Sequence, residues 1–592
     1  MRQHHPVRFH QVIINKKINI VNQNPSTINR ILQKVLNLPT WALLGLTGLI
    51  LGLAYPPNVL GGLFGGIGLI PLLIALERAT GWPQTLRWSY GSFVIFSGIT
   101  TWWVGSWQSN ADPWLMTSSI LLILIHPFFF CVPIILYREV RRRTSLAIGL
   151  SFLVLLWTGG EYLHALTDAS YPWLTLGNTQ TYNLYYIQFI EYTGIWGVSL
   201  LMMIQNCLLA WLLISLTEEN KKSRTKQGIA VTTTLVATIM LPYIHGLLSL
   251  ASTQKSPDPS RITVTIVQPN QNPWDKWQKN DPIDHIIDNN SLSFEAIKTG
   301  IRPDMFLWAE TAIPKPITHP NMTHERNRFY GMVDSLGITV MTGFPDYVVH
   351  PSKEEASASS RRDTILDPQT RKPVIDSRTG KPQVRYWDYY NSIGVFAPGT
   401  GIVDSYHKSQ LVPFGERIPF VDLAPFLIDM LSWDVGISAW GKGKGPHALL
   451  VPLKNDTIRA GAMVCFESVY PNIVRQFVVD GADFLTIVTN DGWYLGTPGP
   501  LQHERYALLR AIETRRSIAR AANTGISCFV TPEGRIFGET EEGERTTRTE
   551  TIVLRDDKTL YVRFGDWLPI LCLIGAGGIV LIGLLRKKKS QE

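Results

Sequence analysis

The stretch "IRAGAMVCFES", residues 458–468, decides how this chain is read. It is a short run of small and branched apolar residues, the length of one buried strand, and it ends on a cysteine, Cys465, with Glu467 two positions on. Runs of the same kind recur: "RITVTIVQPN" from 261, "DMFLWAET" from 304, "GITVMTGFP" from 337, "NSIGVFAP" from 391, "ADFLTIVTND" from 482 and "GISCFVTPEG" from 525. Helical signals lie between them. The clearest, "HERYALLRAIETRRSIARAAN" at 503–523, reads as one helix with its arginines on the polar face and a stop at Asn523 to Gly525. Strands alternating with helices predict an α/β domain. Residues 350–388, rich in charge, Pro, Ser and Gly, break the rhythm and read as a surface insertion.

Outside this region the composition changes. The chain has 592 residues, 45% hydrophobic and only 17% charged, which is unusually apolar for a soluble protein of this size. Its long apolar runs predict about eight membrane spans, at 40–55, 59–76, 88–106, 113–137, 145–163, 191–216, 229–251 and 566–585. Crossing the hydrocarbon core takes about 20 residues of helix. The first two runs are short and broken near Pro56 and Pro57, so a re-entrant hairpin is the alternative there.

Lys and Arg stay preferentially on the cytoplasmic side of a membrane, and their distribution orients these spans. Arg2, Arg8, Lys16 and Lys17 precede the first span, Arg78 and Arg87 follow the second, and Arg138, Arg141, Arg142 and Arg143 follow the fourth. Lys221, Lys222, Arg224 and Lys226 follow the sixth, and "RKKK" at 586–589 follows the last. The alternate loops, 56–58, 107–112 and 164–190, carry neither residue. The expected organisation is a basic cytoplasmic segment over 1–39, a seven-span membrane domain over 40–251, an external domain over 252–565, a final span over 566–585 and a cytoplasmic tail over 586–592. The net charge of +8 lies in clusters that topology already accounts for, so no nucleic-acid partner is expected. Residues 1–39 do not resemble a cleaved signal peptide, which leaves targeting to the first spans.

Cys131, Cys207 and Cys572 fall inside spans, where cysteine packs as a small apolar residue. Only Cys465 and Cys528 belong to the external domain, and two cysteines there make no disulfide framework. Glu310 in "FLWAETAIP" and Lys408 in "SYHKSQLVPFGE" also sit at or just after strand-like runs. A carboxylate can take a thiol's proton, and an ammonium beside it can lower the thiol pKa and stabilise an oxyanion. On the residues alone each has a plainer reading: Glu310 as a turn cap, Lys408 as a solvated lysine, Cys465 as core packing. No metal-ligand spacing and no Gly-rich phosphate loop is present, so neither a metal nor a cofactor is expected.

Three motifs in order, "WAETAIP" (308–314), "YHKSQLVPFGERIP" (406–419) and "VCFES" (464–468), resemble the Glu, Lys and Cys motifs of the nitrilase superfamily. Within it the chain is similar to the apolipoprotein N-acyltransferases, through "LVPFGE", through 489–527 ("TNDGWYLGTPGPLQHERYALLRAIETRRSIARAANTGIS"), and through "SYPWLTLGNTQ" and "IQFIEYTGIWGVS" in the membrane half. The sequence departs from the family pattern at Phe466, usually Tyr, at His164, usually Arg, in "GTPGPLQH", and in the length of the 350–388 insertion.

The resemblance implies a polytopic helical membrane bundle carrying an external nitrilase-like α-β-β-α sandwich. It also implies a ping-pong acyl transfer on the outer face of the cytoplasmic (inner) membrane. Cys465 would take an acyl chain from a phospholipid as a thioester, Glu310 would act as base and Lys408 would stabilise the oxyanion. The free amine of an S-diacylglyceryl-cysteine at a lipoprotein N-terminus would then receive the chain. Glu416 and Glu467 are expected to position these groups, and the loops holding Trp277 and Trp493 to form an apolar lid. Trp277 would line an acyl pocket or anchor at the membrane interface. Asn490 is expected to fix a loop or contact substrate, with Gln502 and His503 beside it. The chain is expected to act as a monomer. Two rivals remain at this stage: a tethered amidase transferring to water, and a transporter using His126, Glu161 and His245.

Overall fold

The computed structural model describes residues 34, 36–108, 113–215, 221–253, 260–276, 282–357, 360–424, 426 and 440–589. Trp277, nearly all of the 1–39 segment and the end of the 586–592 tail lie outside the described residues. The described residues between 40 and 253 form helices and the turns that join them. Leu115–Arg143, Leu146–Ala165, Trp196–Ser215 and Lys226–Ala251 are long and apolar enough to cross a membrane. Thr40–Gly52 and Gly61–Leu76 are apolar but short, and so is the apolar stretch Trp567–Gly583 of the last helix. The expected span over 88–106 falls on the helix Trp82–Thr101, whose buried face carries Thr85, Ser89, Ser92, Ser97, Thr100 and Thr101. Among the described residues, length and composition therefore support four spans where the sequence suggested eight. On the outer faces Ile120, Leu124, Leu241, Ile244, Leu248, Leu571 and Ile574 are exposed. So much apolar surface fits a lipid solvent better than water.

The described residues between 260 and 565 form two facing sheets with helices outside. The first has the order β13(Thr546–Val553), β1(Arg261–Gln268), β2(Met305–Trp308), β3(Thr339–His350), β5(Val384–Ala397) and β4(Arg361–Thr364), with β6(Gly401–His407) also on β5. The second has the order β12(Ile536–Phe537), β11(Cys528–Val530), β10(Ile518–Ala522), β9(Phe484–Thr489), β8(Thr457–Val464) and β7(Leu449–Pro452). Along β2, Met305 and Leu307 join the core between the sheets, while Phe306 and Trp308 pack under the outer helices with Ile286, Leu292, Phe329 and Val333. Both faces of the strand are covered, which is why it reads as an unbroken apolar run. β2 runs parallel to β1 and β3, and β9 parallel to β8 and β10. The parallel ends of β2, β8 and β9 lead into Glu310, Cys465 and Asn490, the position where α/β sheets hold their sites.

All seven strand-like runs are strands or contain one, but the helix expected over 503–523 is corrected. The helix spans Pro498–Thr514 and stops at Arg515, which is left-handed with φ 50°. Residues 518–522 are β10, paired with β9 and β11. The small residues of "SIARAA" suit a doubly buried strand as well as a helix, and pairing with β9 decides between them. Nor do the arginines face solvent. Arg510 pairs with Glu513 at 2.9 Å, Arg516 donates to the Ala482 carbonyl at 2.7 Å and Arg520 meets Asp491 at 2.6 Å, all buried.

The 350–388 insertion is an exposed outgrowth of the β3–β5 hairpin. Within it two similar turns follow one another. Asp367 Oδ1 accepts from the backbone of Gln369 and Thr370, and Asp376 Oδ1 from that of Arg378 and Thr379.

Candidate active site

β6 ends at His407, and the chain then buries Lys408, which is 1% exposed. Its Nζ lies 2.8 Å from Glu416 Oε2 and 2.9 Å from Glu416 Oε1, and 4.0 Å from Glu310 Oε1. The Glu416 carboxylate is itself fixed, because Oε2 accepts from the Val412 backbone at 2.8 Å within the turn "LVPFGE". Asn391, on β5, bridges the two carboxylates, donating from Nδ2 to Glu310 Oε1 at 2.7 Å and to Glu416 Oε1 at 2.9 Å. Burial works against the Lys408 ammonium, but Glu416, then Glu310 and Cys465, more than offset it and raise its pKa. Lys408 is a fixed cation.

Cys465 follows β8 directly and takes φ 51°, and Thr311, next to Glu310, takes φ 46°. A β-branched residue there is an outlier that the surroundings must hold in place, and such outliers cluster at functional sites. The Cys465 thiol is pushed up, first by burial, then by the Glu310 carboxylate, with Lys408 pulling down and Asp491 pushing up again. This differs from the expectation that a neighbouring ammonium would lower it: desolvation and two carboxylates outweigh one lysine. At rest Cys465 is therefore a thiol, and to act as a nucleophile it would need a base to take its proton. Glu310 suits that role, since burial, ahead of the opposing Lys408, raises its pKa.

Glu467 ties the nucleophile to the lysine loop. Its Oε1 accepts from Tyr406 OH at 2.5 Å, Ser409 N at 2.8 Å, Ser409 Oγ at 2.9 Å and Gln410 N at 3.1 Å, and its Oε2 accepts from Val464 N at 3.0 Å. One buried carboxylate thus joins the residue before Cys465 to the residues after Lys408.

Beside Cys465, His503 heads a buried network whose other members the sequence did not announce. His503 Nδ1 meets Asp491 Oδ1 at 2.9 Å, and its Nε2 lies 2.9 Å from Ser468 Oγ and 3.2 Å from the Cys465 carbonyl oxygen. Burial would raise Asp491, but Arg520 and His503 hold it down at about 2. Cys465, Asp491 and His503 also present metal-ligand atoms within 4.8 Å of one another. Both His503 nitrogens and both Asp491 oxygens already carry hydrogen bonds, so the cluster supports the nucleophile's backbone.

The other expected site residues are placed as follows. Asn490 is 4% exposed and its Oδ1 accepts from Asn523 Nδ2 at 3.0 Å, a bond that fixes the loop. Trp493 stands edge-on to Trp274 at 4.7 Å, so the two loops expected to form a lid do meet. Gln502 bridges to the membrane half, accepting from Trp173 Nε1 at 2.7 Å and donating to the Pro56 carbonyl at 2.8 Å. Phe466, beside the nucleophile, stacks on Tyr171 at 5.9 Å and Trp173 at 6.3 Å, both from "SYPWLTLGNTQ". The helical half therefore walls the site. Of the groups weighed for a transport path, Glu161 accepts from Trp157 Nε1 and the Leu176 backbone, and His126 meets His164 at 3.2 Å. Asn391, Asp491 and Arg520 escaped the sequence reading, and their one signal is a polar residue inside or beside a buried apolar run.

The family model described as the apolipoprotein N-acyltransferase N-terminal domain matches residues 47–208, and that of the carbon-nitrogen hydrolases matches 263–557. A Chlorobaculum tepidum protein named apolipoprotein N-acyltransferase is 32% identical over 568 residues, covering 95% of this chain and 98% of that protein. This chain belongs to the apolipoprotein N-acyltransferase family. A Geobacter metallireducens protein of the same name is 25% identical, covering 92% of this chain and 96% of that protein. Among solved structures, an amidase from Nesterenkonia sp. aligns with a TM-score of 0.33 and 17% identity, over 52% of this chain and 94% of the amidase. The two family models fall on the two halves of the molecule, the helical one and the two-sheet one.

Proposed function

We propose that this family member carries an acyl chain from a membrane phospholipid, through a Cys465 thioester, to the amino terminus of S-diacylglyceryl-cysteine in lipoproteins. The observation that carries the reading is the buried constellation around the thiol: Glu310 4.0 Å from the Lys408 ammonium, Glu416 fixing that ammonium, and both glutamates tied by Asn391.

In the first step Cys465 Sγ bonds to the ester carbonyl carbon while Glu310 takes the thiol proton. Lys408 stabilises the oxyanion. The ester C–O bond then breaks, Glu310 returns the proton to the leaving oxygen and a lysophospholipid departs. In the second step the free amine attacks the thioester, Glu310 accepts its proton, the C–S bond breaks and Cys465 recovers the proton. The product carries a third, amide-linked chain. A thiol that is not ionised at rest suits this scheme, because deprotonation is coupled to attack.

The helical half matches the substrates, since moving an acyl chain into water costs about 0.8 kcal/mol per CH₂. Eight spans, cytoplasmic termini and a catalytic domain on the outer, periplasmic side of the inner membrane are the topology that the Lys and Arg distribution favours. The domain limits 40–251, 252–565 and 566–585 go with it; action as a monomer is a separate part of the proposal. Trp277 and Trp493 are assigned to the lid, Glu416 and Glu467 to positioning, and Asn490 to fixing the 490–494 loop.

The test uses a phospholipid labelled in its acyl chain and a peptide bearing S-diacylglyceryl-cysteine. Label on the peptide's amino group is expected, and none with Cys465→Ala. Label released as free acid in the presence of the peptide would instead make this a tethered hydrolase.

A further inference from the structure

The loop that meets Trp493 also reaches behind the general base. Residues 271–276 follow β1 and end in the short helix Pro273–Lys276. Asn523 pins the start of the loop: Gln271 N donates to Asn523 Oδ1 at 3.2 Å, and Asn523 Nδ2 donates back to the Gln271 carbonyl at 2.7 Å. Its middle residue, Trp274, stands against Trp493. At its end Lys276 is 2% exposed, with Nζ 3.4 Å from the Glu310 carbonyl oxygen and 3.3 Å from Thr311 Oγ1.

Both partners are neutral oxygens, a poor setting for a buried ammonium. Burial pulls Lys276 down to about 7, with Glu310 opposing. A lysine that merely anchored a loop would do so at less expense on the surface, opposite a carboxylate. What Lys276 grips is a strained turn beside the base, where Thr311 takes φ 46°. The same turn packs closely on Gly343 of β3, where a Cβ would lie 2.5 Å from Thr311 N and 2.8 Å from Glu310 Cα. The turn is thus packed on a glycine of β3 and held by Lys276 Nζ.

We propose that Lys276 is a positioning residue for the general base: by donating to the Glu310 carbonyl and the Thr311 hydroxyl, it holds the left-handed turn that aims the Glu310 carboxylate at Lys408 and Asn391. The same loop touches Trp493, so its docking over the site and the alignment of the base are one event. This inference rests on the reading of Glu310 as the base for Cys465.

The test is single-turnover thioester formation by the full-length protein in detergent with excess phospholipid, with folded protein counted separately. Lys276→Met is expected to form the thioester about tenfold more slowly, the loss of one charged hydrogen bond expressed as a rate, with KM for phospholipid within about twofold of the parent. Thr311→Val removes one acceptor and leaves the lysine, and is expected to slow the step about threefold with KM again unchanged. It carries the test if Lys276→Met does not fold. A parental rate in whichever variant folds, or a loss confined to KM, overturns the inference. Glu310→Gln is run beside them. A parental rate there removes the reading of Glu310 itself, whereas a dead Glu310→Gln beside an unaffected Lys276→Met removes only the role given to Lys276.

Discussion

Replacing Glu467 by alanine should uncouple the nucleophile from the lysine loop without touching either. The substitution strands the backbone N–H groups of Gln410 and Val464 and leaves Ser409 N with only its longer bond to the Tyr406 hydroxyl at 3.3 Å. A buried donor left without a partner costs about 1–3 kcal/mol, so two give at least about 2 kcal/mol. At 1.4 kcal/mol per tenfold, an error of that size falling on the relative placement of Cys465 and Lys408 slows thioester formation about thirtyfold. Glu467→Gln keeps the volume and one acceptor oxygen, but sets an NH₂ against one group of donors, for a loss of about tenfold. The assay is the single-turnover rate of thioester formation, with thermal unfolding of the same samples. Both readouts should rank parent, then Gln, then Ala. Alanine at the parental rate, or Gln as damaging as Ala, would refute the positioning role.

Asp491 is held at about 2 in the folded protein, below its ordinary value of 3.8, so its stabilisation is present above pH 3.8 and is lost as pH falls from there towards 2. Asp491→Asn should remove about 2 kcal/mol at neutral pH and flatten the acid side of the stability curve, read by thermal unfolding between pH 2 and 7. Glu310 works in the opposite sense: its folded pKa is raised, and the base must be ionised to act. Thioester formation should therefore climb with pH beyond the range of an ordinary carboxylate, and the climb should vanish in Glu310→Gln. Arg515 holds a left-handed backbone and also reaches Glu191 at 2.9 Å and Gln188 at 2.8 Å in the helical half. Arg515→Gly and Arg515→Ala both lose those bonds, yet Gly should be the more stable by about 1 kcal/mol, because only Ala keeps the strained φ.

The strands were legible because their two faces meet two different cores: Met305 and Leu307 point one way, Phe306 and Trp308 the other, and no polar residue interrupts them. The turn after 514 was not legible. It depends on β9 claiming residues 518–522 as a neighbour, and on carbonyl and carboxylate partners far along the chain for Arg516 and Arg520. Glu310, Lys408 and Cys465 could be singled out as the polar ends of apolar runs, but their meeting could not be read from spacing. The residues that bring them together, Asn391 and Glu467, act through contacts across 81 and 58 positions of sequence. The membrane half was legible in outline, and its depth was not. The short Thr40–Gly52 helix and the Ser- and Thr-lined Trp82–Thr101 helix pack through close glycine contacts, Gly48 on Ile95 and Gly52 on Ile99, that hydropathy does not weigh.

The central claim is that Cys465 carries the acyl chain. Mass spectrometry of the purified protein after incubation with phospholipid, without acceptor, tests it most directly. One acyl adduct is expected on the peptide containing Cys465, removed by hydroxylamine, carried onward when S-diacylglyceryl-cysteine peptide is added, and missing from Cys465→Ala. An unmodified Cys465 in protein that still acylates the peptide would contradict it.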